Sequence, residues 1–224
     1  MHDYIIFGIG ILAQALFSAR ILVQWISSER AKKVLSPVIF WQLSLIASFL
    51  LIIYGILRND IVIIGGQAFS YFIYIRNLRL KRAWRTIPKL FRFFTVAFPF
   101  MALIYILIGE EYNYSSIFDN KDISSLLLVW GSIGQIIFSL RFIYQWYYSE
   151  KIKQSVLPLG FWLISIFGSA MIIIYAILRA DPVLIIGQVF GFVVYFRNII
   201  ISVKEKKHSK LIPDKKSIYE TGNK

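Results

Sequence analysis

The sequence predicts an all-α integral membrane protein whose seven transmembrane helices form two parallel three-helix repeats joined by a linker helix. Three observations lead there. Of the 224 residues, 58% are hydrophobic and mean hydropathy is +0.65, whereas soluble domains are about 45–50% apolar. Several apolar runs reach the roughly 20 residues needed to span a hydrocarbon core. Finally, residues 14–77 align with 135–198 without insertion or deletion, and a repeat of that kind constrains a fold more than any single motif.

The first predicted span is Tyr4 to Ile26. It lacks a basic leading segment and ends in Arg30, Lys32 and Lys33 instead of a small-residue cleavage site, so it is expected to stay in place and not be removed as a signal peptide. Val38 to Leu57 and Ile61 to Leu78 complete a first repeat over 4–80. A basic connection, the linker span Phe91 to Ile108 and an outer loop occupy 81–122. Ile123 to Tyr148, Leu159 to Leu178 and Val183 to Val203 make the second repeat, 123–203, and a basic tail covers 204–224. A three-helix unit ends on the face opposite its start, so one extra crossing lets the second copy begin on the same face as the first. The linker, which has no counterpart in the repeat, supplies it.

The net charge of +13 follows the loops and does not suggest nucleic acid. Arg30, Lys32 and Lys33, then Arg76, Arg79, Lys81, Arg82, Arg85, Lys89 and Arg92, then Lys151 and Lys153 fall in alternate connections, with the tail on the same side. The opposite connections hold Arg58, Lys121 and Arg179 with the acidic residues Glu110, Glu111, Asp119 and Asp122. Because cytoplasmic loops carry the excess of Lys and Arg, the N-terminus is expected outside and the tail inside. The chain has no cysteine, and its two histidines, His2 and His208, lie in the terminal segments. No metal site or cofactor is therefore expected.

Polar residues recur at matching positions within the spans, where hydrocarbon makes them expensive. On the first helix of each repeat, Gln14, Arg20 and Gln24 correspond to Gln135, Arg141 and Gln145. At about 100° per residue they share one face with Phe17 and Phe138, a face expected to look into the protein. One reading has Arg20 and Arg141 facing each other across a two-fold axis and binding an anionic group such as phosphate, which suits the guanidinium fork. The other makes them structural, snorkelling to headgroups or pairing with Glu29 and Glu150.

Gln67 and Gln188 follow Gly66 and Gly187, a combination that lets helices approach while an amide bonds between them. Packing is the leading role there, with substrate contact the alternative. Tyr74, Tyr195, Asn77 and Asn198 near the inner helix ends read as interfacial anchors, with substrate contact again open for the two asparagines. Trp25, Trp146, Trp41 and Trp162 are expected at the headgroup boundary, with stacking on a sugar ring the alternative. Asp60 and Asp181 suit helix N-terminal caps. No carboxylate is placed in mid-span, which removes the usual residue for proton coupling.

Taken together, the repeated elements Gln-x5-Arg-x3-Gln-Trp-x2-Ser-Glu, Pro-x2-Phe-Trp-x2-Ser, Arg-x-Asp, Gly-Gln and Tyr-x-Arg-Asn resemble the lipid-A-biosynthesis N-terminal domain family, in two tandem copies over nearly the whole chain. The three-plus-one-plus-three plan also looks distantly like the SWEET and PQ-loop transporters. Their Pro-Gln dipeptide is absent from the corresponding helix, and Pro37 and Pro158 stand at the start of the next one. The resemblance implies a bacterial inner membrane location and a part in lipid A or related glycolipid synthesis. It further implies a membrane lipid or glycolipid as ligand and a glycosyltransferase as a possible partner.

Three functions follow as expectations. The first is binding or translocation of a sugar-bearing or phosphorylated lipid between the repeats, through Arg20, Arg141 and the neighbouring glutamines and asparagines. The second is an enzyme component associated with lipid-A-disaccharide synthase, although nothing here has the size or the Gly-rich phosphate loop of a nucleotide-sugar enzyme. The third is an anchor or scaffold for a glycosyltransferase. Facilitated sugar transport is a further alternative suggested by the SWEET-like plan.

Overall fold

The computed structural model describes residues 2–57, 61–108, 125–178 and 182–211. Its helices are α1 (His2–Ala31), α2 (Val38–Leu57), α3 (Ile61–Leu80), α4 (Lys89–Ile108), α5 (Ser125–Ile152), α6 (Leu159–Leu178) and α7 (Pro182–Leu211), with a short 3-10 turn at Ala83–Thr86. Three of them are long and apolar enough to cross a membrane: Tyr4–Ala31, Val38–Leu57 and Leu159–Leu178, with hydropathies of 2.0, 2.1 and 2.3. The proposed caps Asp60 and Asp181 and most of the tail lie outside the described residues.

Helices α1, α2 and α3 pack in sequence, as do α5, α6 and α7. The two sets meet where α1 touches α7 and where α3 touches α5, while α4 leans on α3 and α2. The same local geometry ends the first helix of each set. Lys32 and Lys153 adopt left-handed φ values of 52° and 53°, and each donates its amide to Glu29 or Glu150 three residues back at 3.3 Å. Such a residue closes a helix by satisfying one of its free carbonyls. Pro37 and Pro158 then open the next helix. Their fixed φ favours a first turn, and their carbonyls accept from Phe40 and Phe161 at 3.1 and 2.9 Å.

Close helix approach occurs on α5 and α6 at positions other than the expected Gly187, while the surroundings of Gly66 lie outside what the structure describes. A side chain at Gly187 would meet nothing within 4 Å, whereas at Gly168 it would lie 2.7 Å from the Phe138 amide nitrogen and at Gly134 2.9 Å from Met171. Two further expectations are corrected. Trp41 and Trp162 are buried to 0% and 2% exposure, each edge-on to its neighbouring phenylalanine with centroids 4.8 Å apart. They are core residues, not boundary markers. Tyr74 and Tyr195 are likewise buried and pack on those indoles at 6.2 and 6.1 Å.

Candidate functional site

The two sets of helices are joined at one end by reciprocal amide pairs. Gln24 Nε2 donates to Asn198 Oδ1 at 2.9 Å and Asn198 Nδ2 returns a bond to Gln24 Oε1 at 3.2 Å. Gln145 and Asn77 do the same at 2.8 and 3.1 Å. Each asparagine also donates to the carbonyl one turn earlier, Ile73 or Val194, at 2.9 Å. Each glutamine reaches Ser28 or Ser149 and a loop carbonyl, Leu35 or Val156. All four amides are fully buried, so Asn77 and Asn198 are contacts between repeats and not interfacial anchors.

Beyond the amides, toward the loops, lies a second pair of crossed contacts. Arg197 Nε donates to Glu29 Oε2 at 2.8 Å, and Arg76 NH2 donates to Glu150 Oε2 at 2.9 Å. Glu150 also receives Lys153 at 2.8 Å. Hydrogen bonds from Arg76 and then Lys153 hold the Glu150 carboxyl down at about 2. The glutamates therefore serve the arginines of the opposite repeat and leave Arg20 and Arg141 without them, contrary to the pairing open from sequence. Ser36 Oγ adds a bond to the Ser155 carbonyl at 2.7 Å, and Ser155 Oγ one to Asn77 at 2.7 Å.

One turn deeper sit Arg20 and Arg141, at 6% and 7% exposure. They share a cavity with Gln24, Phe142, Trp162 and Tyr195. Its volume of about 10 Å³ is room for about one water molecule. Arg20 NH1 donates to Ser44 Oγ at 2.8 Å and Tyr74 Oη at 3.2 Å. Arg141 leaves the equivalent Ser165 and Tyr195 and donates to the Phe138 carbonyl of its own helix at 2.5 Å. Phe142 lies between the two, its centroid 5.4 Å from the Arg20 guanidinium carbon and 4.6 Å from that of Arg141. Neither arginine has an acidic partner among the described residues. Arg20 Nε and the indole nitrogens of Trp41 and Trp162 are buried with no hydrogen-bond acceptor.

The remaining candidates are elsewhere. Gln14 and Gln135 are exposed, so the inward polar face starts at the arginines and does not include them. Gln67 and Gln188 are half-buried and accept from Ser48 and Ser169 at 3.0 Å, tying the second helix of each set to the third. Sequence reasoning assigned no role to Ser44 and Ser165, whose recurrence inside an apolar span is the signal that pointed to them.

Comparison with known proteins places this arrangement in context. The chain is 28% identical over 211 residues to a lipid-A-disaccharide synthase of Chlamydia pneumoniae, a match covering 91% of the chain and 34% of that protein. It is 29% identical over 213 residues to that of Chlamydia felis, with the same coverage. For Chlamydia muridarum the identity is 30% over 210 residues, covering 89% of the chain and 34% of the relative. The chain thus spans about a third of the length of these relatives. No solved structure matches. Residues 9–79 and 130–200 each match the Lipid A Biosynthesis N-terminal domain, and the chain belongs to that family, with two copies of the domain in tandem.

Proposed function

We propose that this protein is a multi-pass component of lipid A or related glycolipid synthesis that binds, and passes between leaflets, a phosphorylated or sugar-bearing lipid. In this reading all seven helices cross a bacterial inner membrane as three plus one plus three, with the N-terminus outside, and Arg20 and Arg141 take the anionic group. The observation that carries it is the burial of two arginines on one cavity with no carboxylate beside either among the described residues. An uncompensated buried charge costs several kcal/mol, and an anionic headgroup removes that cost. The orphaned groups around the cavity are all donors, which favours an acceptor-rich ligand such as a phosphate. A cavity of about 10 Å³ is too small for a headgroup, so binding requires Phe142 or an arginine to swing aside.

The test is native mass spectrometry of the chain in nanodiscs, comparing wild type with an Arg20→Gln, Arg141→Gln double variant. A phosphorylated glycolipid or polyprenyl lipid retained by the wild type alone supports the reading. Retention of the same lipids by both makes the arginines structural. A second reading is favoured by the length of the relatives, three times the matched segment: a membrane unit that anchors a glycosyltransferase or presents lipid to it. Loss of function on altering the basic inner loops, with both arginines dispensable, is its signature.

A further inference from the structure

A second concave surface, separate from the arginine cavity, runs between α3, α4 and α5. It encloses about 390 Å³ and is lined by Phe69, Phe72, Ile73, Ile75, Arg76, Arg79, Val96, Trp146 and Glu150. It shares no residue with the cavity around Arg20 and Arg141. Its two ends differ in chemistry. Phe69 and Phe72 make one end apolar, Arg76, Arg79 and Glu150 make the other charged, and Val96 of α4 lines the wall between them.

The charges at that end do not cancel. Arg76 is committed to Glu150, which also holds Lys153. Arg79 is exposed; its guanidinium carbon stands 5.5 Å from the Trp84 ring centroid, and it has no acidic partner among the described residues. Arg92 lies one turn before Val96 on α4, hence on the same face, and its Nε is buried without an acceptor. From Phe69 to Arg79 the groove follows α3 for about 15 Å at 1.5 Å per residue, which is half the roughly 30 Å hydrocarbon core. That is the reach of one acyl chain in one leaflet. The second repeat differs at the charged end: Ile200 stands where Arg79 does, and among the described residues α4 packs chiefly on the α2 and α3 side.

We propose that this groove holds one anionic phospholipid, its acyl chain along Phe69, Phe72 and Val96 and its phosphate at Arg79. The zwitterionic alternative places a choline cation beside Arg76, Arg79 and Arg92, against their charge. The inference does not rest on the function proposed for Arg20 and Arg141.

The experiment uses the full chain in nanodiscs of equal parts phosphatidylglycerol and phosphatidylcholine, with retained lipid read by native mass spectrometry. The wild type is expected to keep one phosphatidylglycerol in preference to phosphatidylcholine. Arg79→Gln should reduce that retention about tenfold, as loss of a charged hydrogen bond does, and Val96→Trp should also reduce it by filling the middle of the groove. Arg85→Gln, on the neighbouring 3-10 turn, and the Arg20→Gln, Arg141→Gln double variant should keep it. Equal retention of the two lipids, or wild-type retention by Arg79→Gln, overturns the proposal. So does full displacement by millimolar glycerol phosphate, because the apolar wall would then contribute nothing. Should Val96→Trp fail to fold, Arg79→Gln decides alone.

Discussion

Arg20 and Arg141 occupy equivalent sequence positions and make different bonds. Arg20 holds Ser44 and Tyr74, whereas Arg141 turns back to its own helix, and Ser165, among the described residues, bonds the Phe161 carbonyl and not Arg141. The two serines should therefore respond differently to the same change. Ser44→Ala removes a hydrogen bond to a buried charge and is expected to destabilise by about 1.5–3 kcal/mol, with Ser165→Ala causing less than about 0.5 kcal/mol. Denaturation in detergent, followed by tryptophan fluorescence, measures both, and equal losses would refute the inequivalence. The burial of both arginines was legible because each recurs inside an apolar run. Their partners were not, since Glu29 meets Arg197 and Glu150 meets Arg76 only after the two repeats come together. Burial of Asn77 and Trp41 was hidden for a related reason: a polar or amphipathic residue near a span end looks the same in sequence whether it faces headgroups or a neighbouring helix.

At the level of elements, α2 and α6 coincide with their expected limits, while α1 runs on to Ala31 and α7 to Leu211. Hydropathy marks where a chain leaves an apolar medium, and a helix can continue past that point on charged residues. Helix contacts were less legible than helix limits. Ala13 and Ala47, both buried to 0% exposure, stand where the second repeat has Gly134 and Gly168, so the small residues that matter were masked by an unequal pair. Gly168→Val forces a side chain against the Phe138 backbone and is expected to cost about 1–3 kcal/mol or more. Gly187→Ala meets open space and gains helix propensity, about 0.8–1 kcal/mol in the stabilising direction. Thermal stability by size exclusion after heating separates the two, and a loss at position 187 would show that this glycine serves a contact.

Across the whole molecule, the joint between repeats is polar and carries ion pairs at one end. The Glu150 carboxyl ionises at about 2 in the folded protein, below its ordinary value of 4.5. A depressed carboxyl contributes stability that is full above its unfolded value and lost as pH falls through the folded one. The contribution should thus be complete at neutral pH and fade between about 4.5 and 2. Arg76→Gln removes the main cause of the shift. Its melting temperature should lie below that of the wild type at pH 7, with the gap narrowing in acid; a constant gap would mean that the ion pair has no part in joining the halves. Both repeats were legible here from the ungapped alignment, and so was the helix between them that has no counterpart in either.

That connecting helix has a consequence for the joint. Each repeat carries a glutamine and an asparagine, a glutamate and an arginine, and offers its partner the same groups that it receives. Such self-complementarity is the mark of an isologous contact between identical subunits. Carrying both copies on one chain turns what would be a dimerisation equilibrium into a closure at fixed effective concentration, so dilution in a membrane does not open the joint. It also releases the copies from having to be identical, and the chain uses that freedom where Arg79 stands against Ile200 and where two matching arginines make different bonds.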